Sequence, residues 1–183
     1  MRILHLLRTR RLSGAENVAA DICLMFRGIH EMVYCSPEGP IREALAERGI
    51  DYFPLRRLSI PEVRRAIVTL RPDIVHAHDV AATCVAVCVS GSIPVVSHLH
   101  GNAENMRGLG AKSILYALAL TRVKKIIAVS ESCLADYAFP RVVERKSVCL
   151  RNIVYGPRIA MLADTDQRHY GFDFVFVGRI SYP

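Results

Sequence analysis

Two short apolar runs in this sequence each end in a pair of histidines one residue apart. His76 and His78 close the first run, and His98 and His100 close the second. Each run is typical of a short buried parallel strand, and side chains two residues apart on a strand point to the same side. Ligands of open α/β sheets sit outside the carboxyl ends of the strands, so we expect the four imidazoles to converge on one crevice.

The paired histidines allow three interpretations. Each pair has the spacing to chelate zinc or iron, which keeps a metal-dependent hydrolase as an alternative function. Asp79 directly follows the first pair, but the sequence contains no His-x-His-x-Asp-His run, and we expect no metal. A structural role inside the sheet edge is the second interpretation, and it fits His76 and His98 because they lie deeper in their runs. Substrate contact is the third, and it fits His100, which Gly101 and a polar loop follow.

The loop after the second pair is rich in hydrogen-bonding groups. It covers residues 101–105 and holds two amides and one carboxylate. Each amide both donates and accepts hydrogen bonds, which suits a hydroxyl-rich ligand; a solvated polar loop is the alternative. On the first interpretation Gly101, Asn102 and Glu104 bind substrate together with His78.

The first strand-to-helix turn contains Ser13, Gly14 and Glu16. It lacks the Gly-x-Gly-x-x-Gly pattern, which argues against a dinucleotide-binding site. Ser13-x-x-Glu16 matches a capping box, which alone would explain both polar residues. Gly14 would also let a ligand oxygen approach the exposed N–H groups at the start of the helix. The two interpretations are compatible, so we expect Ser13 and Gly14 to bind substrate.

The elements that must position these residues alternate between strand and helix. Strands are predicted at residues 2–7, 30–36, 50–54, 73–77, 94–99, 125–129 and 147–150. Helices are predicted after residue 16 and at residues 41–48, 62–70, 80–89, 112–121 and 133–139. This alternation predicts an α/β fold with a doubly wound parallel sheet and right-handed crossovers. We expect a domain over residues 1–152, a linker over 153–171, and the first strand of a further domain over 172–183.

The composition of the chain limits the classes of binding partner that we expect. The chain has 183 residues, 51% hydrophobic, with a formal net charge of +7, enough for one substantial core and a basic surface. Such a surface favours phosphorylated small molecules or anionic lipid headgroups. Aromatic residues do not interleave with the basic clusters and no nucleic-acid motif is visible, so we expect no nucleic acid partner.

Cysteine usage and hydropathy bear on location. The six cysteines form no Cys-x-x-Cys pair, which is typical of small core residues in a reducing compartment. The most apolar stretch, residues 80–96, is interrupted by Ser90, Gly91 and Pro94, so it is not expected to span a bilayer. No signal peptide is recognisable. We expect a cytoplasmic protein.

Taken together, the motifs resemble those of the family 4 glycosyltransferases. The segments that carry the resemblance are Met1-Arg-Ile-Leu-His-Leu, Ser13-Gly-Ala-Glu-Asn-Val, Pro72-Asp-Ile-Val-His-Ala-His-Asp, His98-Leu-His-Gly-Asn, Ile127-Ala-Val-Ser-Glu-Ser and Phe176-Val-Gly-Arg-Ile. Their order and spacing make the resemblance, which covers essentially the whole chain. It implies the GT-B architecture of two Rossmann-like domains facing a cleft, of which this chain would be the N-terminal, acceptor-side domain.

The resemblance also implies roles for individual residues. Gly14 would approach the donor diphosphate, His100 would contact the donor sugar, and Ser130 would line the cleft. Arg179 would bind the diphosphate. The implied reaction is transfer of a sugar from a nucleotide sugar to a glycan or lipid-linked acceptor, with retained configuration, no cofactor and no divalent metal.

Two departures from the family pattern shape further expectations. The lysine that follows Gly-Arg and the Glu-x7-Glu donor motif are absent from the sequence, and Asn152-Ile153 replaces the common Asn-Gly. We therefore expect an inactive fragment whose exposed interdomain face favours a homodimer. Docking on an anionic membrane is expected from Arg56, Arg57, Arg64 and Arg65. A non-catalytic sugar- or nucleotide-binding module remains a further alternative.

Overall fold

A computed structural model describes residues 1–101, 106–135, 137–166 and 168–176. Seven parallel strands form one sheet in the order β3-β2-β1-β4-β5-β6-β7. Their bounds are β1 Arg2–Leu6, β2 Glu31–Pro37, β3 Asp51–Leu55, β4 Ile74–Ala77, β5 Val95–Leu99, β6 Val123–Ala128 and β7 Ser147–Cys149. The predicted Rossmann-like, doubly wound α/β fold is confirmed.

Eight helices connect and follow these strands in the described part of the chain. They are α1 Gly14–Met25, α2 Ile41–Glu47, α3 Ile60–Leu70, α4 Val80–Val89, α5 Ala111–Leu120, α6 Glu131–Ala135, α7 Pro140–Glu144 and α8 Gly156–Thr165. The helix predicted over residues 133–139 is wrong in extent: α6 ends at Ala135, and α7 is a separate helix. Proline disfavours a helical conformation in the residue before it, and Phe139 accordingly has φ −120° and ψ 63°.

The order of the strands reverses between β1 and β4, which pair in parallel with His5 opposite His76. From β1 the chain first moves outward through β2 and β3, then returns through α3 to β4 and moves outward on the other side. Right-handed crossovers in opposite directions place their helices on opposite faces of the sheet. The crevice above the carboxyl ends of β1 and β4 is therefore the switch point where such folds bind ligands.

Two hydrophobic clusters cover the two faces. The smaller one joins α1 and α2 to β1 and β2 through residues such as Ala19, Cys23 and Leu45. The larger one joins α3, α4 and α5 to strands β1 to β6 through residues such as Val63 and Ala86. The helices α1 and α2 thus lie over only one half of their face, and in the described residues no hydrophobic cluster covers the other half.

The region predicted as a linker contains helix α8. Gly156-Pro157 is typical of a segment without regular structure. Proline is nevertheless accommodated in the first turn of a helix, because an N–H at that position needs no hydrogen-bond partner within the helix. Residues 172–176, predicted to begin a strand, form none, and no described strand pairs with them. In the described residues no helix combines the length and apolar character needed to cross a membrane.

Candidate functional site

A cleft of about 330 Å³ opens at the carboxyl ends of β1, β4 and β5. It lies between the start of α1 and the loop after β5, at the switch point of the sheet. Its polar lining includes Arg8, Thr9, Ser13, His78, His100 and Lys112. The structure therefore brings together residues that the sequence separates by about a hundred positions.

Five imidazoles meet beneath and beside this cleft, one more than the two pairs predicted. Nδ1 of His5 lies 2.9 Å from Nε2 of His78, and Nδ1 of His78 lies 2.9 Å from Nε2 of His100. His76 and His98 form a separate contact, with Nε2 of His76 3.2 Å from Nδ1 of His98. His5 was missed because only the pairing of β1 with β4 brings it beside the others.

Burial keeps all five imidazoles neutral at physiological pH. It lowers the pKa of His5 to about 3, of His98 to about 2 and of His100 to about 4. The pKa values of His76 and His78 are also lowered, chiefly by burial and then by neighbouring histidines. At His100 the Asn152 side chain and the charge of Glu16 oppose the effect of burial on the pKa without overcoming it.

The start of α1 differs from the predicted capping box. Ser13 is the N-cap residue, but its hydroxyl donates a hydrogen bond to the Glu16 carboxylate. It accepts no hydrogen bond from the N–H groups of the helix backbone. Thr9 also donates its hydroxyl to Glu16, whose side chain is buried. Since no side chain caps the helix, its first N–H groups and the positive end of its dipole remain available to a ligand. A Cβ atom added at Gly14 would meet nothing within 4 Å.

The other predicted residues lie at different places along the same sheet edge. Gly101 lines the cleft beside His100. Ser130 follows β6 at the carboxyl edge, where its hydroxyl contacts Ser132 Oγ at 2.8 Å, but it is not among the cleft-lining residues. Asp79 serves a structural purpose, because its carboxylate accepts from Ala82 N at 2.8 Å and caps α4. The predicted site residues Asn102, Glu104 and Arg179 lie outside the described residues.

A second cavity, of about 560 Å³ and mostly apolar, lies on the open half of the sheet face beside α1. Its floor is formed by the side chains of His5, His76 and His98, and α1 contributes Val18 and Ile22 to one wall. His76 and His98 line this cavity and are not among the residues that line the cleft, so of the four imidazoles expected to converge on one crevice only His78 and His100 line it.

Two histidine triplets have nitrogens close enough to share a metal ion. They are His5, His76 and His78, and His78, His98 and His100, with ligand atoms within 4.8 Å of one another. Neutral imidazoles are the form that binds transition metals. His78 belongs to both triplets, so it could be a ligand in only one of them at a time.

Comparison with known proteins agrees with the fold. The model of Glycosyltransferase Family 4 matches residues 12–152. No curated protein sequence is significantly similar to the chain.

Several solved structures share the fold at low identity. HepE of Anabaena in complex with UDP and glucose is 20% identical with a TM-score of 0.72, covering 83% of this chain and 44% of that one. The lipopolysaccharide outer core galactosyltransferase WaaB is 15% identical with a TM-score of 0.63, covering 84% and 46%. UDP-GlcNAc 2-epimerase from Neisseria meningitidis is 17% identical with a TM-score of 0.60, covering 90% and 50%. The chain spans half or less of each of these proteins.

Proposed function

This chain belongs to glycosyltransferase family 4, and we propose a function from that premise. We propose that the chain supplies the acceptor-side half of an enzyme that moves a sugar from a nucleotide sugar to a glycan or a lipid-linked acceptor. One observation carries the proposal. Ser13, His78 and His100, from three separate segments, line a single cleft at the switch point of the sheet.

The start of α1 is suited to bind the donor diphosphate. Its N–H groups lack a side-chain cap, and the helix dipole adds partial positive charge there. Gly14 leaves room for phosphate oxygens to approach the backbone. Arg8 and Lys112 add cationic groups to the lining of the same cleft. Preorganised donors of this kind stabilise the charge that develops on a departing diphosphate.

On the other side of the cleft, His100 contacts the donor sugar. Its imidazole is neutral at pH 7, because burial lowers its pKa to about 4, so it presents an uncharged ring to the sugar. The His78 ring contacts His100 and holds its imidazole in place. Gly101, which has no side chain, lets the sugar approach the backbone. Ser130, Asn102, Glu104 and Arg179 complete the proposed set of substrate-binding residues.

The chemistry we propose retains the anomeric configuration and uses no cofactor and no divalent metal. The helix end and the cationic side chains supply the charge stabilisation that a metal would otherwise give. The metal-dependent hydrolase is not favoured, since the family match is to glycosyltransferases. HepE was solved with UDP and with UDP-glucose, so uridine diphosphate sugars are the first donors to test.

The setting of the reaction is also proposed. Six cysteines without a disulfide support the cytoplasm as the compartment. The exposed arginines 56, 57, 64 and 65 support attachment to an anionic membrane surface. Exposed apolar side chains on and after α8, such as Leu162, Phe172 and Phe174, support a homodimer. Sedimentation velocity at several concentrations tests the dimer.

The central test is a titration of the 15N-labelled chain with UDP-glucose, UDP-GlcNAc and GDP-mannose, followed by NMR. We expect one donor to shift the amide resonances of Ser13, Gly14 and His100 and to leave those of Ile22 and Met25, in the apolar cavity, unchanged. EDTA should leave the titration unaltered. Shifts confined to the apolar cavity, or none with any donor at millimolar concentration, would refute the proposed site.

A further inference from the structure

The loop that joins β1 to α1 covers residues 7–13 and carries three arginines, Arg8, Arg10 and Arg11. All three are exposed. Arg8 lines the cleft, whereas Arg10 and Arg11 are not among the residues that line it. This β1–α1 loop therefore carries positive charge both in the cleft and on the surface beside it.

The carboxylates nearest to the loop on the cleft side are engaged elsewhere. Glu16 is buried, and its carboxylate accepts hydrogen bonds from the hydroxyls of Thr9 and Ser13. The carboxylate of Asp79 accepts from the backbone of α4 and caps that helix. Neither carboxylate forms an ion pair with an arginine of the loop in the part of the chain that the structure describes.

The neighbouring loop, residues 38–40, contributes one further carboxylate. Glu38 accepts from Nε of Arg42 at 2.8 Å and from Nη2 of the same guanidinium at 2.5 Å, so both of its oxygens are occupied. Among the described residues, Arg10 and Arg11 form no ion pair with any carboxylate. Two adjacent guanidinium groups are therefore left without a compensating charge.

Packing against residues 38–40 fixes the position of Arg10. Its carbonyl oxygen accepts from the backbone N–H of Ile41 at 3.1 Å. A Cβ atom added at Gly39 would lie 2.8 Å from Cβ of Arg10 and 2.9 Å from its carbonyl oxygen, so the two loops lie this close only because residue 39 is glycine. A side chain whose stem is already held in place loses less conformational freedom when it binds a ligand.

The chemistry of the pair suits a phosphate group. Guanidinium binds phosphate through paired, charge-assisted hydrogen bonds. A phosphate monoester carries about two negative charges at pH 7, which balance two arginines, whereas a carboxylate carries one. The donor diphosphate is already provided for, since the start of α1, Arg8 and Lys112 lie at the cleft itself.

We propose that Arg10 and Arg11 bind a phosphate group of the acceptor, beside the cleft that holds the donor. The proposal rests on the proposed function. It makes the acceptor a phosphorylated glycan or a sugar on a lipid-linked phosphate, and it excludes a neutral oligosaccharide. Arg10 and Arg11 are then specificity-determining residues that take no part in the transfer step.

The first experiment is a titration of the 15N-labelled chain with inorganic pyrophosphate in the presence of saturating UDP, followed by NMR. We expect pyrophosphate to shift the amide resonances of Arg10, Arg11 and Gly39. Glucuronate, the carboxylate probe, should bind there about tenfold more weakly, because it carries less charge. The proposal is overturned if pyrophosphate shifts none of these resonances, or if glucuronate binds as tightly.

Two further probes distinguish the sources of the phosphate. Tighter binding of glucose 6-phosphate supports a phosphorylated glycan, and tighter binding of geranyl diphosphate supports a lipid-linked acceptor. Binding of neither probe overturns the proposal. Failure of the proposed function is recognised separately, because UDP alone would then shift neither Ser13 nor Gly14.

A double variant tests the two arginines. Arg10→Gln with Arg11→Gln should raise the Kd for pyrophosphate about tenfold or more, because charge-assisted hydrogen bonds are lost. Lys124→Gln with Lys125→Gln is the matched control. It removes the same charge from exposed positions near the amino-terminal end of β6, at the opposite edge of the sheet, and should change the Kd less than about twofold.

Two outcomes of this comparison would overturn the proposal. One is an equal effect of the two double variants, which would indicate general attraction to a basic protein. The other is weaker co-sedimentation of Arg10→Gln with Arg11→Gln on phosphatidylserine vesicles while its Kd for pyrophosphate is unchanged, which would assign the two arginines to a membrane surface.

Gly39→Ala tests the position of the loop without altering charge. The added methyl group must displace Arg10, so the Kd for pyrophosphate should rise about threefold or more although both arginines remain. An unchanged Kd in the folded variant would overturn the claim that the contact with Gly39 positions the site.

Discussion

Asp21 on α1 and Arg158 on α8 form a buried ion pair, with Nε of Arg158 3.0 Å from Oδ1 of Asp21. A second contact, from Nη2 to Oδ2, is 3.3 Å, and the backbone N–H of Tyr155 donates to the same carboxylate. The side chain of Asp21 is 3% exposed and that of Arg158 is 17% exposed. This pair holds α8 against the domain, since no apolar side chain of α8 is buried.

Arg158→Ala should therefore destabilise the folded chain by about 3 kcal/mol, because it leaves the Asp21 carboxylate buried without its partner. Urea denaturation gives the free energy of unfolding. In the Arg158→Ala variant, hydrogen exchange should show that the amides of α8 are less protected than those of α1. Arg168→Ala removes an exposed ion pair with Asp166 and should cost less than about 1 kcal/mol. Equal effects of the two variants would contradict the assigned role of Asp21.

Gly14→Ala should lower the affinity for the donor about tenfold without unfolding the chain. The added methyl group meets no protein atom within 4 Å, so it occupies only space that phosphate oxygens would use. Isothermal titration calorimetry measures the affinity. Gly156→Ala is the matched control, since Gly156 also begins a helix with open space around it. If both variants bind the donor like the parent chain, the diphosphate does not approach Gly14.

Stability should fall steeply as the pH drops from about 6.5 to 4. The folded state keeps His5, His98 and His100 neutral down to pKa values of about 3, 2 and 4, whereas the unfolded chain takes up protons below the ordinary value of 6.5. The unfolded state then binds more protons, and each such group changes stability by about 1.4 kcal/mol per pH unit. Burial raises the pKa of Asp79, which acts in the opposite direction.

Urea denaturation at a series of pH values measures this slope. His98→Leu should reduce it by about one proton, and His169→Gln, which changes an exposed histidine, should leave it unchanged. A denaturation midpoint that stays constant between pH 6.5 and 4 would show that the imidazoles are not held neutral by the fold.

Binding to vesicles should depend on the arginines of α3 and of the loop that precedes it. Arg57→Gln with Arg64→Gln should weaken co-sedimentation with phosphatidylserine vesicles about tenfold or more at low salt, since each surface charge contributes about 1 kcal/mol. Arg141→Gln with Arg145→Gln removes the same charge from another exposed cluster and serves as the control. Loss of binding with both double variants alike would indicate general attraction without a defined membrane face.

The sequence predicted the sheet well because apolar runs and turn residues are local signals. All seven strands were expected within one or two residues of their observed bounds. The errors in the helices occurred near proline: the helix predicted over residues 133–139 ends at Ala135, α7 begins at Pro140 without having been predicted, and α8, with Pro157 in its first turn, lies in the segment expected to be a linker. Proline breaks a helix from within but is well accommodated in its first turn.

The site was predicted in part, for a related reason. The His-x-His pairs identified β4 and β5 as the relevant strand ends, and Ser13 with Gly14 identified the facing helix. His5 and the hydroxyl contacts of Thr9 and Ser13 with Glu16 depend on which strands and loops become neighbours. Such neighbours are a property of topology, which local patterns do not contain.

The separation of His5 and His78 by 73 residues has a consequence for how the chain reaches its native state. Contacts between distant segments form slowly, because the loop between them must close at a cost in entropy. The contact between these two imidazoles cannot exist until β4 has paired with β1. The NMR signals of His5 and His78 would therefore report on assembly of the sheet during refolding, at a time when the helices can already be formed.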